Sequence, residues 1–168
     1  MIAVSDLLKN CDAAVVAAEK FVAVARTSVA KLVTKDGKVS ASSVDREQRA
    51  AHALSWYATY VEALRQMARW AHRLANEGRF VTLEQNILLC AFGEYLAQMA
   101  GGIMMSQNEI ARPLDLGASD TDFATFWRVA TGLVTAGNQP EVRERIADYL
   151  GAHAGAIFYG DPGLDDTM

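Results

Sequence analysis

The chain has 168 residues, 51% of them hydrophobic and 21% charged, with only 3 prolines; that length and balance suit one buried core and exclude disorder as the main state. Net charge is −4 and the 16 Lys and Arg residues are scattered along the chain, so the basic stripe of a nucleic-acid binder is missing and nucleic acid is excluded as a partner. Acidic Asp6 precedes the first basic residue, Glu19-Lys20 interrupts the apolar stretch from Ala13 to Ala25, and no other apolar run has the length of a bilayer span, which argues against a signal peptide and a membrane partner and leads us to expect a cytoplasmic protein.

From Ser5 to Val33, the positions Leu8, Cys11, Val15, Ala18, Val22, Ala25, Val29 and Leu32 alternate spacings of three and four. This seam predicts a long packing helix. Its small Cys and Ala positions allow a neighbouring helix to come close. Asp36-Gly37 predicts the turn that ends it. Cys11 and Cys90 fall on apolar helical patterns without a C-x-x-C step, so both read as small buried hydrophobes in a reducing compartment.

A second helix is predicted from a Ser42-Ser43-Val44-Asp45 capping box to about Asn76, with Gly78 placed to stop it. One stripe reads Leu54, Tyr57, Val61, Leu64, Ala68, Ala71 and Leu74; another reads Trp56, Tyr60, Ala63, Met67 and Trp70. Two apolar faces place this helix between neighbours and leave one face for a partner or for self-association.

Thr82-Leu83-Glu84-Gln85 predicts a third capped helix, carrying Ile87, Leu88, Ala91, Tyr95 and Met99 to the pair Gly101-Gly102. The segment Ser106-Gln107-Asn108-Glu109 reads as the cap of a short helix stopped by Pro113, which would make this region a helix–turn–helix corner. Ser119-Asp120-Thr121-Asp122 opens a fourth main helix with Phe123, Phe126, Trp127, Val129, Ala130, Leu133 and Val134, and Pro140 sits in the first turn of a fifth containing Val142, Ile146 and Leu150. The expected fold is all-α, an up-and-down bundle of four main helices with shorter additional helices, forming one domain over residues 1–168. The Phe158–Gly163 turn and the acidic end after it read as a linker over 158–168 into a following domain.

Chemistry is sparse. Di-metal bundles need Glu-x-x-His steps, and no Glu here is followed three residues later by His. Glu62 and Glu94 are the remaining inward carboxylate candidates, and His52, His72 and His153 read as surface or packing residues. No phosphate loop, nucleophile elbow or dinucleotide fingerprint is present, so neither catalytic residues nor metal ligands are assigned.

The stretch Gly93-Glu-Tyr-Leu-Ala-Gln-Met-Ala-Gly-Gly-Ile, with Met105-Ser-Gln-Asn-Glu-Ile-Ala-Arg-Pro and the earlier Trp56-Tyr-Ala-Thr-Tyr-Val-Glu-Ala-Leu-Arg-Gln-Met, resembles the N-terminal helical extension of methylsuccinyl-CoA-oxidising members of the flavin-dependent acyl-CoA dehydrogenase superfamily. Gln98-Met-Ala-Gly101-Gly102, followed by Glu109, Arg112 and Asp115, also resembles a Gln-x-x-Gly-Gly turn of that superfamily's C-terminal bundle, which lies near the flavin of a neighbouring subunit. The third glycine of that turn is absent here, and the spacing to Arg112 and Asp115 is shorter. The resemblance implies FAD as cofactor in a full-length flavoenzyme, with none expected on this chain alone, and makes Gln98, Gly101 and Gly102 the candidate cofactor contacts. It also implies an acyl-CoA substrate, oxidation of methylsuccinyl-CoA to mesaconyl-CoA in the ethylmalonyl-CoA pathway, further domains of the same polypeptide, a homo-oligomer, and an electron-transfer flavoprotein as redox partner. The competing expectation is a freestanding helical interaction or small-ligand module without enzymatic activity.

Overall fold

The computed structural model describes residues 3–153. Helix α1 (Val4–Val33) buries Leu7, Cys11, Ala14, Val15, Ala18, Phe21, Ala25, Val29 and Val33. The predicted seam is correct at its centre and displaced at its ends: Leu8 is half-buried and Leu32 is exposed. A straight helix of 3.6 residues per turn drifts away from a strict heptad, so the buried stripe passes through Leu7 at one end and Val33 at the other.

Asp36 and Gly37 make the expected turn, both with positive φ (50° and 74°). They join two short strands, β1 (Thr34–Lys35) and β2 (Lys38–Val39), in an antiparallel pair, the hand of turn that suits a two-residue hairpin. The helix expected to start at the Ser42–Asp45 box is instead two helices, α2 (Ala41–Arg46) and α3 (Gln48–Asn76), separated at Glu47 (φ −104°, ψ 28°). No capping box forms there. Ser43 is already inside α2, buried, and its hydroxyl has no protein partner. The bend at Glu47 lets Ala50, Ala53 and Tyr57 begin a new core-facing stripe. At the far end of α3, Gly78 (φ 68°) donates to the Ala75 carbonyl and Arg79 to that of Leu74, a pair of bonds that closes a helix around a left-handed glycine.

Helix α4 (Thr82–Gly101) starts after Val81 without a side-chain cap, so the second predicted capping box is absent too; Gln85 donates its side-chain amide to the Phe80 carbonyl instead (2.9 Å). The largest departure follows it. Residues after Gly102 form strands β3 (Ile103–Ser106) and β4 (Glu109–Ala111), antiparallel with a bulge between Met104 and Ser106, in place of the expected helical restart at Ser106. Burial alternates along β3, with Ile103 buried, Met104 exposed, Met105 half-buried and Ser106 exposed. This is a strand's period of two, hidden in the sequence because Met104 is apolar and points to solvent. A 3₁₀ turn (Pro113–Leu116) ending at left-handed Gly117 (φ 68°) leads on. Helix α5 (Asp120–Gly137) starts where predicted, and its start is closed by a capping box between Ser119 and Asp122; α6 (Pro140–Ala152) opens on Pro140 as predicted. The predicted Phe158–Gly163 turn and 158–168 linker lie outside the described residues.

The four long helices form a ring in which α1 and α4 each pack against both α3 and α5, and α6 lies against α4. Across α1 and α3 the ring pair Phe21–Tyr57 and the polar pair Asp12–His72 run in opposite chain directions, as an up-and-down bundle requires. Phe21 also meets Phe126 of α5 at a centroid distance of 5.3 Å. Leu64, Leu88, Phe92 and Leu96 complete the centre. The all-α expectation is met, with the two small hairpins as additions at the bundle's end.

Candidate functional site

The sequence candidates gather where α3 begins and α4 ends. Gly102 (φ 133°) donates its N–H to the Gln98 carbonyl (2.7 Å), closing α4. A Cβ at that position would lie 2.5 Å from Ile110 Cγ2, so the glycine permits both the backbone angle and the approach of β4. Gly101, one residue earlier, faces open space. The hydroxyl of Tyr57, fully buried, donates to the Met99 carbonyl at 2.7 Å, with a longer contact to that of Ala111 (3.4 Å). It thus serves one of the carbonyls left free at a helix C-terminus. Burial, with a smaller contribution from Asp115, raises the Tyr57 pKa well above the usual phenol range.

On the outer side of the same corner, α3 and α4 present an aromatic ladder. Trp56 donates its indole N–H to His52 Nε2 (3.0 Å), and Tyr60 donates its hydroxyl to the Gln98 side-chain oxygen (2.6 Å). In this arrangement the His52 proton sits on Nδ1, 4.0 Å from Glu109. Trp56 meets Tyr60 edge-on at 6.4 Å, and Tyr60 meets Tyr95 of α4 at 4.5 Å. Burial, then Tyr95, raises the Tyr60 pKa. The ladder runs into a groove lined by Met67, Trp70, Ala91 and Tyr95. On the opposite flank Arg49 reaches both Asp115 and the Ile110 carbonyl (3.3 Å each), while Asp115 accepts the Arg112 backbone N–H (2.8 Å).

Gln98, Gly102, Glu109, Arg112 and Asp115 therefore do share one corner, but the groups present do not fit a flavin pyrophosphate. The Gln98 side-chain oxygen is engaged by Tyr60, Ile110 fills the space beside Gly102, and the Arg49 guanidinium is turned onto Asp115. No step is assigned to a cofactor here. His52 is exposed, as expected of a surface residue, and Tyr60 lies on the predicted second stripe; the four-residue spacing of His52, Trp56 and Tyr60 on one helical face is the signal that joins both to this corner.

Elsewhere the candidate carboxylates point outward: Glu62 pairs with Arg65 and Glu94 with Arg143, each on an exposed rim. Glu19 joins Arg65 from α1 (2.9 Å). His72 meets Asp12 at 3.0 Å and His153 meets the Tyr149 carbonyl at 2.8 Å, both on the surface. Cys11 is buried and Cys90 half-buried. Among the described residues no three His, Cys, Asp or Glu side chains converge, and no helix is long and apolar enough to cross a membrane. An aromatic face edged by hydrogen-bonding groups is suited to covering by another surface.

No family model matches the chain. A (2S)-methylsuccinyl-CoA dehydrogenase of Cereibacter sphaeroides is 45% identical over 163 residues, which is 97% of this chain and 29% of that protein. This chain is similar to part of that enzyme. The resemblance to acyl-CoA dehydrogenases is thus borne out across nearly the whole chain, which spans 29% of the length of the relative it matches.

Proposed function

We propose that this chain is an accessory helical domain of an FAD-dependent acyl-CoA dehydrogenase that oxidises (2S)-methylsuccinyl-CoA to mesaconyl-CoA in the ethylmalonyl-CoA pathway. The supporting observation is the 45% identity extending over 97% of the chain while accounting for 29% of the relative. In this reading the bundle is the N-terminal part of a longer polypeptide. FAD and the acyl-CoA thioester are held by its other domains, and an electron-transfer flavoprotein takes the electrons. The Gln98–Gly102 corner has a packing role, and the Trp56–Tyr60–Tyr95 face with the Met67–Trp70 groove is the surface those domains cover.

The reading predicts an open reading frame that continues past Met168 into a flavin-binding region. Its full-length product should reduce an electron acceptor when given methylsuccinyl-CoA, while the 168-residue segment alone should elute without flavin and without activity. A stop codon directly after Met168 would overturn the assignment in favour of a freestanding module. Flavin retained stoichiometrically by the segment alone would overturn the packing role of the corner.

A further inference from the structure

The face of the bundle opposite the aromatic ladder, where α1 lies beside α5, is also apolar. Val16 is 47% exposed, Val24 36% and Val129 37%, and they border a groove floored by Phe21 and Phe126. On α1, Asp12, Val16 and Lys20 follow one another at intervals of four, so they form a single surface ridge with opposite charges equally far from a central valine. Ridges of this spacing align when two helices cross at about 50°, the commonest packing class. If the two helices are related by a two-fold axis through the groove beside Val16, the ridges lie side by side and antiparallel, and Asp12 of each falls near Lys20 of the other. A two-fold interface requires such self-complementarity. Lys20 forms no ion pair within 4.0 Å among the described residues. Ala13 and Ala17 beside the ridge keep the crossing close.

We propose that the α1 face is a self-association surface on which a second copy of this chain docks through the Asp12–Val16–Lys20 ridge about a two-fold axis beside Val16. This inference does not rest on the enzymatic reading, since it uses only the surface of α1 and α5.

The test is the dissociation constant of the 168-residue chain by sedimentation equilibrium. Asp12→Lys sets two lysines against two lysines, and Lys20→Asp sets aspartates against aspartates, so each single reversal should weaken the dimer about tenfold or more. The double reversal Asp12→Lys/Lys20→Asp restores both cross-chain pairs and should return to within about threefold of the parent. His72→Gln removes the intramolecular contact of Asp12 and should leave association unchanged. Val16→Glu, which puts two carboxylates beside the axis, should give a monomer. Circular dichroism of each variant, all at exposed positions, separates lost association from lost folding. A parent chain that stays monomeric at all concentrations overturns the proposal. So does a dimer indifferent to both single reversals, or one that the double reversal fails to rescue.

Discussion

Gly93 of α4 and Gly137 of α5 meet backbone to backbone: a Cβ on Gly93 would lie 2.8 Å from Gly137 Cα, and one on Gly137 would collide with the Leu89 carbonyl oxygen. The two helices approach as closely as they do because both side chains are missing. An alanine in a helix is ordinarily favoured over glycine by about 0.5–1 kcal/mol, yet here the steric term opposes it. Gly137→Ala is expected to destabilise by about 1–3 kcal/mol. Gly101→Ala, which meets nothing within 4 Å, is expected to stabilise by about 0.4–1 kcal/mol. Urea denaturation of the two variants decides it, and equal effects would rule out a backbone crossing.

At the corner, Gly102→Val should be far more damaging than Met104→Val. Gly102 has a φ of 133° and Ile110 stands where its side chain would go, so a β-branched residue meets strain and collision together. Met104 is 66% exposed. Thermal melts should separate the two variants by several degrees; coincident melts would contradict the tight approach of β4 to Gly102.

Serines in two start signals should behave differently. Ser119 Oγ accepts the Asp122 N–H (3.2 Å), and the Asp122 carboxylate accepts from the Ser119 N–H (3.1 Å) and its hydroxyl (2.5 Å); these bonds lower the Asp122 pKa. Ser119→Ala should cost about 0.5–2 kcal/mol. Ser106 Oγ has only a long contact from the Asn108 N–H (3.4 Å) in a hairpin turn, so Ser106→Ala should stay within about 0.5 kcal/mol of the parent.

Burial, assisted by the neighbouring Asp12 carboxylate, pushes the Cys11 thiol from 9.0 up to about 12. The raised folded-state value means that the neutral thiol's contribution to stability is complete below pH 9 and is lost as pH climbs towards 12, because the unfolded thiol ionises first. Stability of the parent should therefore approach that of Cys11→Ala over this window. A constant gap between the two denaturation curves across it would show that Cys11 ionises as freely in the fold as outside it.

Helices with an unambiguous start or stop were legible in the sequence: α1 and α3 by their apolar period, and α5 and α6 with Ser119 and Pro140 at their starts. Helix α4 was legible by its extent from Thr82 to the glycine pair, although its buried stripe runs through Leu88, Phe92, Leu96 and Met99 rather than Ile87, Ala91 and Tyr95. The Ser42 and Thr82 boxes failed because residue type alone does not decide which serine or threonine stands outside the helix; in the structure Ser43 is inside and buried. The corner misled more deeply. Ser106 and Glu109 have the spacing of a capping box, and exposed Met104 masks the alternation that marks β3, so local helix-start chemistry outweighed a two-residue period only four residues long. Gly93 reads as an ordinary helical glycine until Gly137, distant in sequence, is found against it.

Helices α1 and α3 have 30 and 29 residues, whereas α4 and α5 have 20 and 18, so at 1.5 Å per residue the first pair stands roughly 15 Å taller. Ile103, Ala111 and Leu116, from the β3–β4 hairpin and the 3₁₀ turn, occupy that missing height. They have no wall to rest on until the two tall helices are already paired. Because that seat is lost whenever the tall pair loosens, the amides of residues 103–116 should exchange hydrogen for deuterium no more slowly than those at the centres of α1 and α3 under native conditions.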